Sequence, residues 1–253
     1  MIPRKIHFIF GLDPDFAGIP FSYYHYLAVK SAKAINPTYT IILHYHYAPE
    51  RNEFWERTKE LATHRQIEKV PEAAGGKKII HNAHKADILR MKILYETGGI
   101  YLDMDTICIS PFDNLLGHHC VMGIELEAGK VNGLCNAVIM AMPKVGFLSM
   151  WREKVKEFDP HDWGKLGVKD PWAIARDFPY LIHIEPPESF FRTTWYPRDL
   201  ADVHERVIHF ERSYSLHLWE SKTHDTILKN ITEESVLTKD TSYNLLARKA
   251  LGI

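Results

Sequence analysis

Two aspartates separated by one residue, Asp103 and Asp105, are the positions of this chain best suited to chemistry. They follow the short apolar run 100–102, which is predicted to be a buried strand. Because side chains alternate along a strand, the two carboxylates are predicted to project the same way, with Met104 pointing back into the protein. Carboxylates this close repel each other, and burying them unpaired is costly. A hard divalent cation such as Mg²⁺ or Mn²⁺ removes that cost, and its free coordination positions suit the phosphates of a substrate.

The residues before this pair predict the elements that position it. Ala86, Leu89 and Ile93 recur at three- and four-residue steps, which indicates the apolar face of a helix. The glycine pair Gly98-Gly99 can end that helix, because glycine adopts the left-handed conformation found at helix ends. An isolated D-x-D pair is most often a solvated surface pair. Here a helix, a glycine pair and a strand lead into it, and ligand sites of open α/β sheets lie at the carboxyl ends of strands, so the context favours function.

The stretch from His84 to Asp105 resembles the sugar-nucleotide-binding region of the glycosyltransferases that contain a DXD motif. More narrowly, it resembles glycosyltransferase family 32, which includes capsular-polysaccharide transferases and initiating mannosyltransferases. The opening segment 2–10 is similar to the first strand of that family, with Phe10 in place of the usual tryptophan. The resemblance implies an α/β fold of the GT-A type, which is Rossmann-like and binds a nucleotide sugar. It further implies a mostly parallel central sheet flanked by helices and a more irregular acceptor-side half.

The same resemblance implies an activity. The implied enzyme is a metal-dependent hexosyltransferase that uses Mn²⁺ or Mg²⁺ and moves a sugar from a UDP- or GDP-sugar donor to a hydroxyl group. Its implied acceptor is a glycan or polysaccharide, free or lipid-linked, and the implied outcome is retention of anomeric configuration. Two alternatives stay open: a non-catalytic protein that binds sugar nucleotides or carbohydrates, and a Mg²⁺-dependent phosphatase of the DxD type. Such phosphatases usually carry Thr or Val two residues after the second aspartate, where this chain has Ile107.

The resemblance also assigns roles to individual residues. The residues that it implies for catalysis are Asp103, Asp105, Arg90 and Asn136. The residues that it implies for binding the donor are His7, Asp87, Tyr101, Asp103, Trp219 and Ser221. The two aspartates are the predicted metal ligands, with His217 as the third, because an imidazole can complete a Mn²⁺ shell. Lys77 and Lys78 are further candidates for placing positive charge near the phosphates.

Several of these residues also have a purely structural interpretation. Asp87 and Arg90 lie three positions apart, and they could form a surface ion pair of little energetic value on one helix face. His7 would equally suit a buried core, and Asn136 would suit a turn before a strand. Glu125 is predicted at a strand end, where it either reaches the reacting carbon of the sugar or is solvated.

Length and composition predict one catalytic domain spanning 1–253, with a nucleotide-binding half, 1–115, and an acceptor-side half, 116–253. Lysine and arginine total 31 against 32 for aspartate and glutamate, so the chain lacks the basic excess typical of proteins that bind nucleic acid. The 3 cysteines match no zinc pattern and are predicted to be reduced and buried.

The sequence predicts no secretory signal and no transmembrane segment. The longest apolar run, 134–150, is interrupted by polar residues and a proline. We therefore expect a soluble, cytoplasmic protein of bacterial or viral type. The stretch 243–253 combines leucines with basic residues, so it could make a peripheral membrane contact, although a packed helix explains it better.

Strands and helices are predicted to alternate along the chain. The predicted strands are 6–10, 40–47, 67–70, 100–102, 120–125, 137–142, 181–184 and 206–210. The predicted helices are 23–35, 49–64, a helix through Asp87, 147–158 and 172–178.

Overall fold

The structure, a computed structural model, describes residues 1–253 with the exception of the Pro197 side chain. Its strands are β1 (Lys5–Phe10), β2 (Thr40–Tyr45), β3 (Thr63–Gln66), β4 (Ala73–Ala74), β5 (Lys77–Lys78), β6 (Gly99–Leu102), β7 (Thr106–Cys108), β8 (Cys120–Glu127), β9 (Lys130–Ala141), β10 (His183–Glu185) and β11 (Ser215–His217). Its α-helices are α1 (Tyr23–Ile35), α2 (Glu53–Thr58), α3 (Asn82–Thr97), α4 (Gly146–Glu153), α5 (Asp170–Asp177), α6 (Pro187–Phe190), α7 (Pro197–Glu205), α8 (Glu220–Thr223), α9 (Glu233–Thr238) and α10 (Ser242–Leu251).

Seven of the described strands form one sheet in the order β10-β8-β9-β6-β1-β2-β3. Strand β9 runs antiparallel to both of its neighbours, and the other neighbouring pairs in the sheet are parallel. The prediction of an α/β fold with a mostly parallel central sheet is therefore confirmed. Strands from both predicted halves contribute to this sheet, and the division into two halves stays a prediction.

Helices cover both faces of the sheet and create two cores. Residues of α1 and α10 pack in one core, and residues of α3 and α4 pack in the other. Strand β6 lies between the two cores, and its side chains alternate between them. Ile100 and Leu102 belong to the first core, whereas Tyr101 belongs to the second.

The predicted glycine pair joins α3 to β6. Gly98 caps α3 with φ at 61°, and Gly99 follows with φ at 112°. A Cβ atom on Gly99 would lie 2.7 Å from the carbonyl oxygen of Lys5, and one on Gly98 would lie 2.7 Å from Pro143 Cδ. Both positions therefore need glycine, which allows α3 to turn directly into a strand packed beside β1.

A two-stranded ribbon beside the sheet connects the end of β6 to the C-terminal part of the chain. Strand β7 follows the D-x-D pair, and β11 pairs with it in antiparallel fashion, with His217 opposite Thr106. Leu218 N–H continues this contact by donating to the Asp105 carbonyl oxygen at 2.9 Å. The ribbon thus brings residues distant in sequence to the carboxyl end of β6.

Some predicted elements agree closely with the structure. The helix 23–35 is confirmed to the residue as α1. The C-terminal stretch forms the packed helix α10, which buries Tyr243 and Ala247 in the core that it shares with α1. The three cysteines are free and buried, as predicted.

The predicted helix 49–64 is confirmed only in its central part, and the predicted strand 67–70 is wrong. Helix α2 covers only Glu53–Thr58, and the segment after it forms β3, Thr63–Gln66. The exposed edge strand β3 consists of polar residues, and its pairing with β2 is made by the backbone. Pairing through the backbone produces no hydrophobic periodicity in the sequence, so the sequence pattern does not indicate this strand.

The predicted strand 206–210 is also wrong. Its backbone hydrogen bonds go to the start of α10, where Ser242 N–H donates to the Arg206 carbonyl oxygen at 2.7 Å. Ile208 N–H donates to the Ser242 hydroxyl at the same distance, 2.7 Å. These bonds satisfy the backbone without a neighbouring strand.

Candidate functional site

A cavity of about 430 Å³ lies at the carboxyl ends of β1 and β6. Ligand pockets in proteins usually measure roughly 300–1,000 Å³, so this cavity suits a small-molecule substrate. The predicted site residues that line it are Asp87, Arg90, Tyr101, Asp103, Asp105, Asn136, His217, Trp219 and Ser221. Glu125 also lines it and accepts a hydrogen bond from Asn132 Nδ2 at 2.7 Å.

The D-x-D pair lies in a tight turn after the strand. Strand β6 ends at Leu102, and Thr106 N–H donates to the Asp103 carbonyl oxygen at 3.0 Å. Strand alternation therefore does not position the pair, although Met104 does pack into the first core, as predicted. The turn, rather than the alternation of side chains along a strand, brings both carboxylates to the cavity.

His217 forms a cluster with the two aspartates. Its Nε2 atom lies 3.2 Å from Asp105 Oδ1 and 3.9 Å from Asp103 Oδ2. One potential ligand atom from each residue lies within 4.8 Å of the other two. Two carboxylate oxygens and an imidazole nitrogen can together bind a divalent cation. The structure thus brings the three predicted ligands into a possible metal site.

These three groups shift one another's pKa. Burial raises the pKa of Asp103 and outweighs the opposing attraction of Arg90, while repulsion by Asp105 acts in the same direction as burial. Burial acts in the same direction on Asp105, but His217 and the Glu220 backbone N–H outweigh it, so the pKa of Asp105 is lowered. Burial opposes the charged form of His217, but the two aspartates outweigh it and raise its pKa. The carboxylates therefore attract positive charge to this point.

Arg90 is the centre of a buried network. Its guanidinium contacts Asp103 Oδ1 at 3.0 Å and Asp87 Oδ1 at 3.4 Å, and it donates to the Asn136 carbonyl oxygen at 2.8 Å. Tyr101 lies under the guanidinium, and its hydroxyl donates to Asp103 Oδ1 at 2.7 Å. Asn136 Nδ2 donates to Asp87 Oδ1 at 2.7 Å. The side chains of Arg90 and Asp87 are only 4% and 8% exposed, so the surface ion pair is wrong.

Glu220 fixes the second aspartate and was missed by the sequence analysis. Its backbone N–H donates to Asp105 Oδ2 at 2.6 Å. Its carboxylate accepts hydrogen bonds from the Tyr24 hydroxyl and from His25 Nε2, each at 2.6 Å. The Ser22 N–H donates to His25 Nδ1, which leaves Nε2 as the donor. The sequence carries no signal for these contacts, because α1 and α8 meet only in the folded chain.

Trp219 and Ser221 both reach the cavity, but their polar groups differ. The Trp219 indole N–H donates to the Thr193 carbonyl oxygen at 3.0 Å, so it is already engaged and is not the expected donor to a diphosphate. The indole ring instead packs against His217, with ring centroids 4.4 Å apart. Ser221 is exposed at the cavity, where its hydroxyl can reach a ligand.

His7 is the predicted donor-site residue that the structure does not bring to the cavity. Its Nδ1 lies 3.0 Å from His44 Nε2, and its Nε2 lies 3.1 Å from the Gly98 carbonyl oxygen. Burial lowers the pKa of His7 to about 4. His7 precedes the carboxyl end of β1 by three residues and is fully buried, without lining the cavity. Lys77 and Lys78 form the exposed strand β5 and do not line the cavity either.

Comparisons with known proteins agree with this geometry. The family profile described as "Glycosyltransferase sugar-binding region containing DXD motif" matches residues 22–122. Glucan organizing enzyme 1 of Cryptococcus neoformans var. grubii is 31% identical over 264 residues, which cover 100% of this chain and 71% of that protein.

Solved structures share the fold. The apo form of the glycosyltransferase GlyE of Streptococcus pneumoniae TIGR4 aligns with a TM-score of 0.54 at 14% identity, covering 98% of this chain and 60% of that one. A second GlyE structure aligns with a TM-score of 0.53 at 12% identity, covering 99% and 61%. None of the helices in the described part of the chain has the length and apolarity needed to cross a membrane. The cellular compartment stays a prediction.

The fold, the cavity and the relatives agree on one class of protein. The relative is named as an enzyme and spans this chain from end to end. The alternatives of a phosphatase and of a non-catalytic binding protein are therefore set aside. This chain belongs to the family of glycosyltransferases whose sugar-binding region contains a DXD motif.

Proposed function

We propose that this glycosyltransferase moves a hexosyl group from a UDP- or GDP-sugar to a hydroxyl group of a glycan or polysaccharide acceptor, free or lipid-linked. The observation that carries the proposal is the cluster of Asp103, Asp105 and His217 at a cavity large enough for a nucleotide sugar. A diphosphate needs positive charge, and this cluster is suited to hold a cation there.

The three side chains fit a divalent cation. Asp103 and Asp105 supply carboxylate oxygens, which Mg²⁺ and Mn²⁺ both prefer, and His217 supplies a nitrogen that suits Mn²⁺ better than the harder Mg²⁺. When bound, the cation would offset the negative charge that grows on the departing nucleoside diphosphate.

The chain's own residues hold this site rigid. Arg90 and Tyr101 both contact Asp103 Oδ1, so one carboxylate oxygen is fixed by two partners. The backbone N–H of Glu220 fixes Asp105 Oδ2 in the same way. A site that is organised before the substrate binds needs little reorganisation during the reaction, which favours catalysis.

Asp87 and Asn136 line the cavity beside Arg90, and we propose that they orient the donor. The acceptor hydroxyl would attack the anomeric carbon from the face that the diphosphate leaves, which retains the configuration. Proton NMR of the new glycosidic linkage tests this stereochemistry. An inverted anomeric centre would contradict it and would direct attention to Glu125 as a base.

A thermal-shift panel of UDP-, GDP-, CMP- and dTDP-sugars, with and without Mn²⁺, tests the proposed function. A ligand at about a hundred times its Kd should add roughly 2.7 kcal/mol of stability, which is easily detected. We expect stabilisation by a UDP- or GDP-sugar that depends on Mn²⁺ and is lost in Asp105→Asn. Asp113→Asn is the matched control, because this exposed aspartate pairs with Arg4 outside the cavity.

Release of UDP or GDP on addition of oligosaccharide acceptors, free and lipid-linked, then tests transfer itself. No stabilisation by any nucleotide sugar, with Asp105→Asn and Asp113→Asn behaving alike, would overturn the proposal.

A further inference from the structure

Glu125 is a buried carboxylate at the cavity and has no role in the reaction proposed above. It lines the cavity and is only 5% exposed. Its Oε1 accepts a hydrogen bond from Asn132 Nδ2 at 2.7 Å. Within the described residues Oε2 has no hydrogen-bond partner, and it is not one of the unpaired polar atoms that the fold encloses completely. Because leaving a carboxylate oxygen unpaired in a buried position is costly, this atom is suited to a ligand.

Strand β8 is irregular on both sides of Glu125. Its pairing with β9 shifts between Met122 and Gly123 and again between Glu125 and Leu126. In a regular strand, Glu125 and Glu127 would face the same way. Here Glu125 is buried at the cavity, whereas Glu127 is exposed and does not line it. Such β-bulges are common beside active sites because they re-aim a side chain, and this one accounts for the different settings of the two carboxylates.

Glu125 lies on the side of the D-x-D pair that is away from β1, because β9 and β8 follow β6 in that direction. The Asp103 N–H donates to the Ala137 carbonyl oxygen of β9. Glu125 pairs with Gly133, four residues further along the same strand. Four residues span about 13 Å at about 3.3 Å per residue. The backbone of Glu125 is therefore far enough from the cation cluster to leave room for the transferred sugar between them.

The side of the cavity at β1 is the better place for the nucleoside. The chain passes from β1 to β2 and β3 on one side and returns to β6 on the other, so the strand order reverses at β1. Ligands of open α/β sheets bind in the crevice at such a reversal. Phe16 and Ile19 follow β1 and line the cavity there, and they suit the flat face of a base. With the diphosphate at the cation cluster, the side that contains Glu125 is left for the acceptor.

We infer that Glu125 binds the acceptor by accepting a hydrogen bond from one of its sugar hydroxyl groups at Oε2. This inference rests on the proposed function. An ionised carboxylate only accepts hydrogen bonds, and a sugar hydroxyl can donate one. A bond to a charged acceptor is stronger than one between neutral groups, and Asn132 already holds the carboxylate in place. Glu125 thereby orients the acceptor, while the departing diphosphate takes the proton of the attacking hydroxyl.

The test compares Glu125→Gln with the wild type. The amide oxygen can still accept from Asn132, but an NH₂ group replaces Oε2 and cannot accept from a hydroxyl. Glu127→Gln is the matched control, because it removes the same charge from the same strand outside the cavity. The acceptor probes are the methyl glycosides of glucose, galactose and mannose and their monodeoxy derivatives. Release of UDP or GDP is followed in the presence of Mn²⁺.

We expect Glu125→Gln to raise the acceptor KM about 10–100-fold. The Kd of the nucleotide sugar, measured by calorimetry, and its slow hydrolysis by water should be unchanged. With the wild type, the deoxy acceptor that lacks the bound hydroxyl should show the same rise in KM. That acceptor should show no further rise with Glu125→Gln, because the two changes remove one interaction. Glu125→Gln should unfold at the wild-type temperature or above, because it removes a buried charge.

Three results would overturn the inference. A weaker Kd for the nucleotide sugar, with an unchanged Kd for bare UDP or GDP, would assign the hydroxyl to the donor sugar. A fall in kcat at an unchanged acceptor KM would place Glu125 at the reacting atoms. Wild-type kinetics in Glu125→Gln would leave Glu125 a structural residue. A wild-type enzyme that binds nucleotide sugars upholds the proposed function in all three cases.

Failure of the proposed function is a separate result. If the wild type binds no nucleotide sugar, the proposed function fails. In that case, or if no methyl glycoside is turned over, saturation-transfer NMR of the same glycosides measures the contact alone. Signals that are lost in Glu125→Gln but kept in Glu127→Gln support the inference. Equal signals in both variants and the wild type, or none in the wild type, overturn it.

Discussion

His7 and His217 are both buried histidines, but their electrostatic surroundings are opposite. His7 contacts a second histidine and a backbone carbonyl, and burial lowers its pKa to about 4. His217 contacts two aspartates, which raise its pKa in spite of burial. The first ring is held neutral and the second attracts positive charge.

The comparison shows what separates a structural histidine from one suited to a site. Both rings are buried, and both were predicted to serve the donor or its metal. The difference comes from the neighbours, because carboxylates favour a cation or a proton and a second imidazole does not. Those neighbours are supplied by chain segments far away in sequence: β2 for His7 and the D-x-D turn for His217.

The largest effect is expected for His217→Ala. Loss of this proposed third ligand should lower kcat/KM on the order of 10²–10³-fold, because the cation proposed to bind the diphosphate would be held less firmly. His7→Gln should retain activity within about threefold in the folded fraction while lowering the unfolding temperature, because it breaks a buried hydrogen bond. Initial rates with saturating Mn²⁺ check both. Equal losses of activity would contradict the distinction between the two histidines.

Arg90→Met should have the next largest effect. Removing the buried guanidinium leaves Asp87 and Asp103 without their cation, and breaking a buried pair costs about 3–5 kcal/mol. Urea unfolding measures this loss. Arg57→Met is the control, because Arg57 pairs with Glu233 in an exposed position. A loss no larger than that of the control would show that the network around Arg90 is not stabilising.

The pH dependence of stability should be steep below the ordinary histidine pKa. His7 has a native pKa of about 4 and His44 one of about 3, both lowered by burial. Between these values and about 6.5, the unfolded chain binds protons that the native chain excludes. The unfolding free energy should therefore fall as the pH drops through this window, by up to about 1.4 kcal/mol per pH unit for each histidine.

Urea unfolding of the wild type and of His44→Gln at pH 7, 6 and 5 checks this slope. The variant should show a shallower slope because one titrating group is gone. His217 works in the opposite direction without a bound cation, since its raised pKa stabilises the native state below the ordinary pKa and this contribution is lost as the pH rises. An unchanged slope in His44→Gln would exclude the buried pair as its cause.

The smallest effect is expected for Glu220→Gln. The backbone N–H that fixes Asp105 is unaffected, but the amide accepts less strongly from Tyr24 and His25. Loss of such a supporting contact should lower activity about tenfold, with a higher Mn²⁺ requirement. Initial rates measured over a range of Mn²⁺ concentrations test both expectations. If the rates and the Mn²⁺ dependence of the variant equal those of the wild type, the ribbon of β7 and β11 alone holds the segment that contains Glu220.

The parts of the fold that could be predicted have strong local signals. The helix 23–35 ends before Asn36-Pro37, and the glycine pair is required because a Cβ atom at either position would clash with its neighbours. The polar strand β3 and the irregular segment 206–210 have no such signal, because their structure depends on backbone partners elsewhere.

The residues of the candidate site divide in the same way, into those with a local sequence signal and those without one. Asp87, Arg90 and the two aspartates lie within one helix–strand unit, so their common location follows from local sequence. The contacts of Glu220 with Asp105, Tyr24 and His25 depend on the packing of distant segments, as does the burial of His7 against His44. The D-x-D pair reached the predicted place for a reason that the sequence did not reveal, a turn after the strand.

The ribbon of β7 and β11 has a consequence for how the enzyme matures. Glu220 and Asp105 are 115 positions apart, and their contact depends on docking of this ribbon. Contacts of such high sequence separation form slowly, and the earlier part of a chain is synthesised first. The sheet can therefore assemble on the ribosome while the cation site is still incomplete. Cation binding at the candidate site would then report that the ribbon has docked.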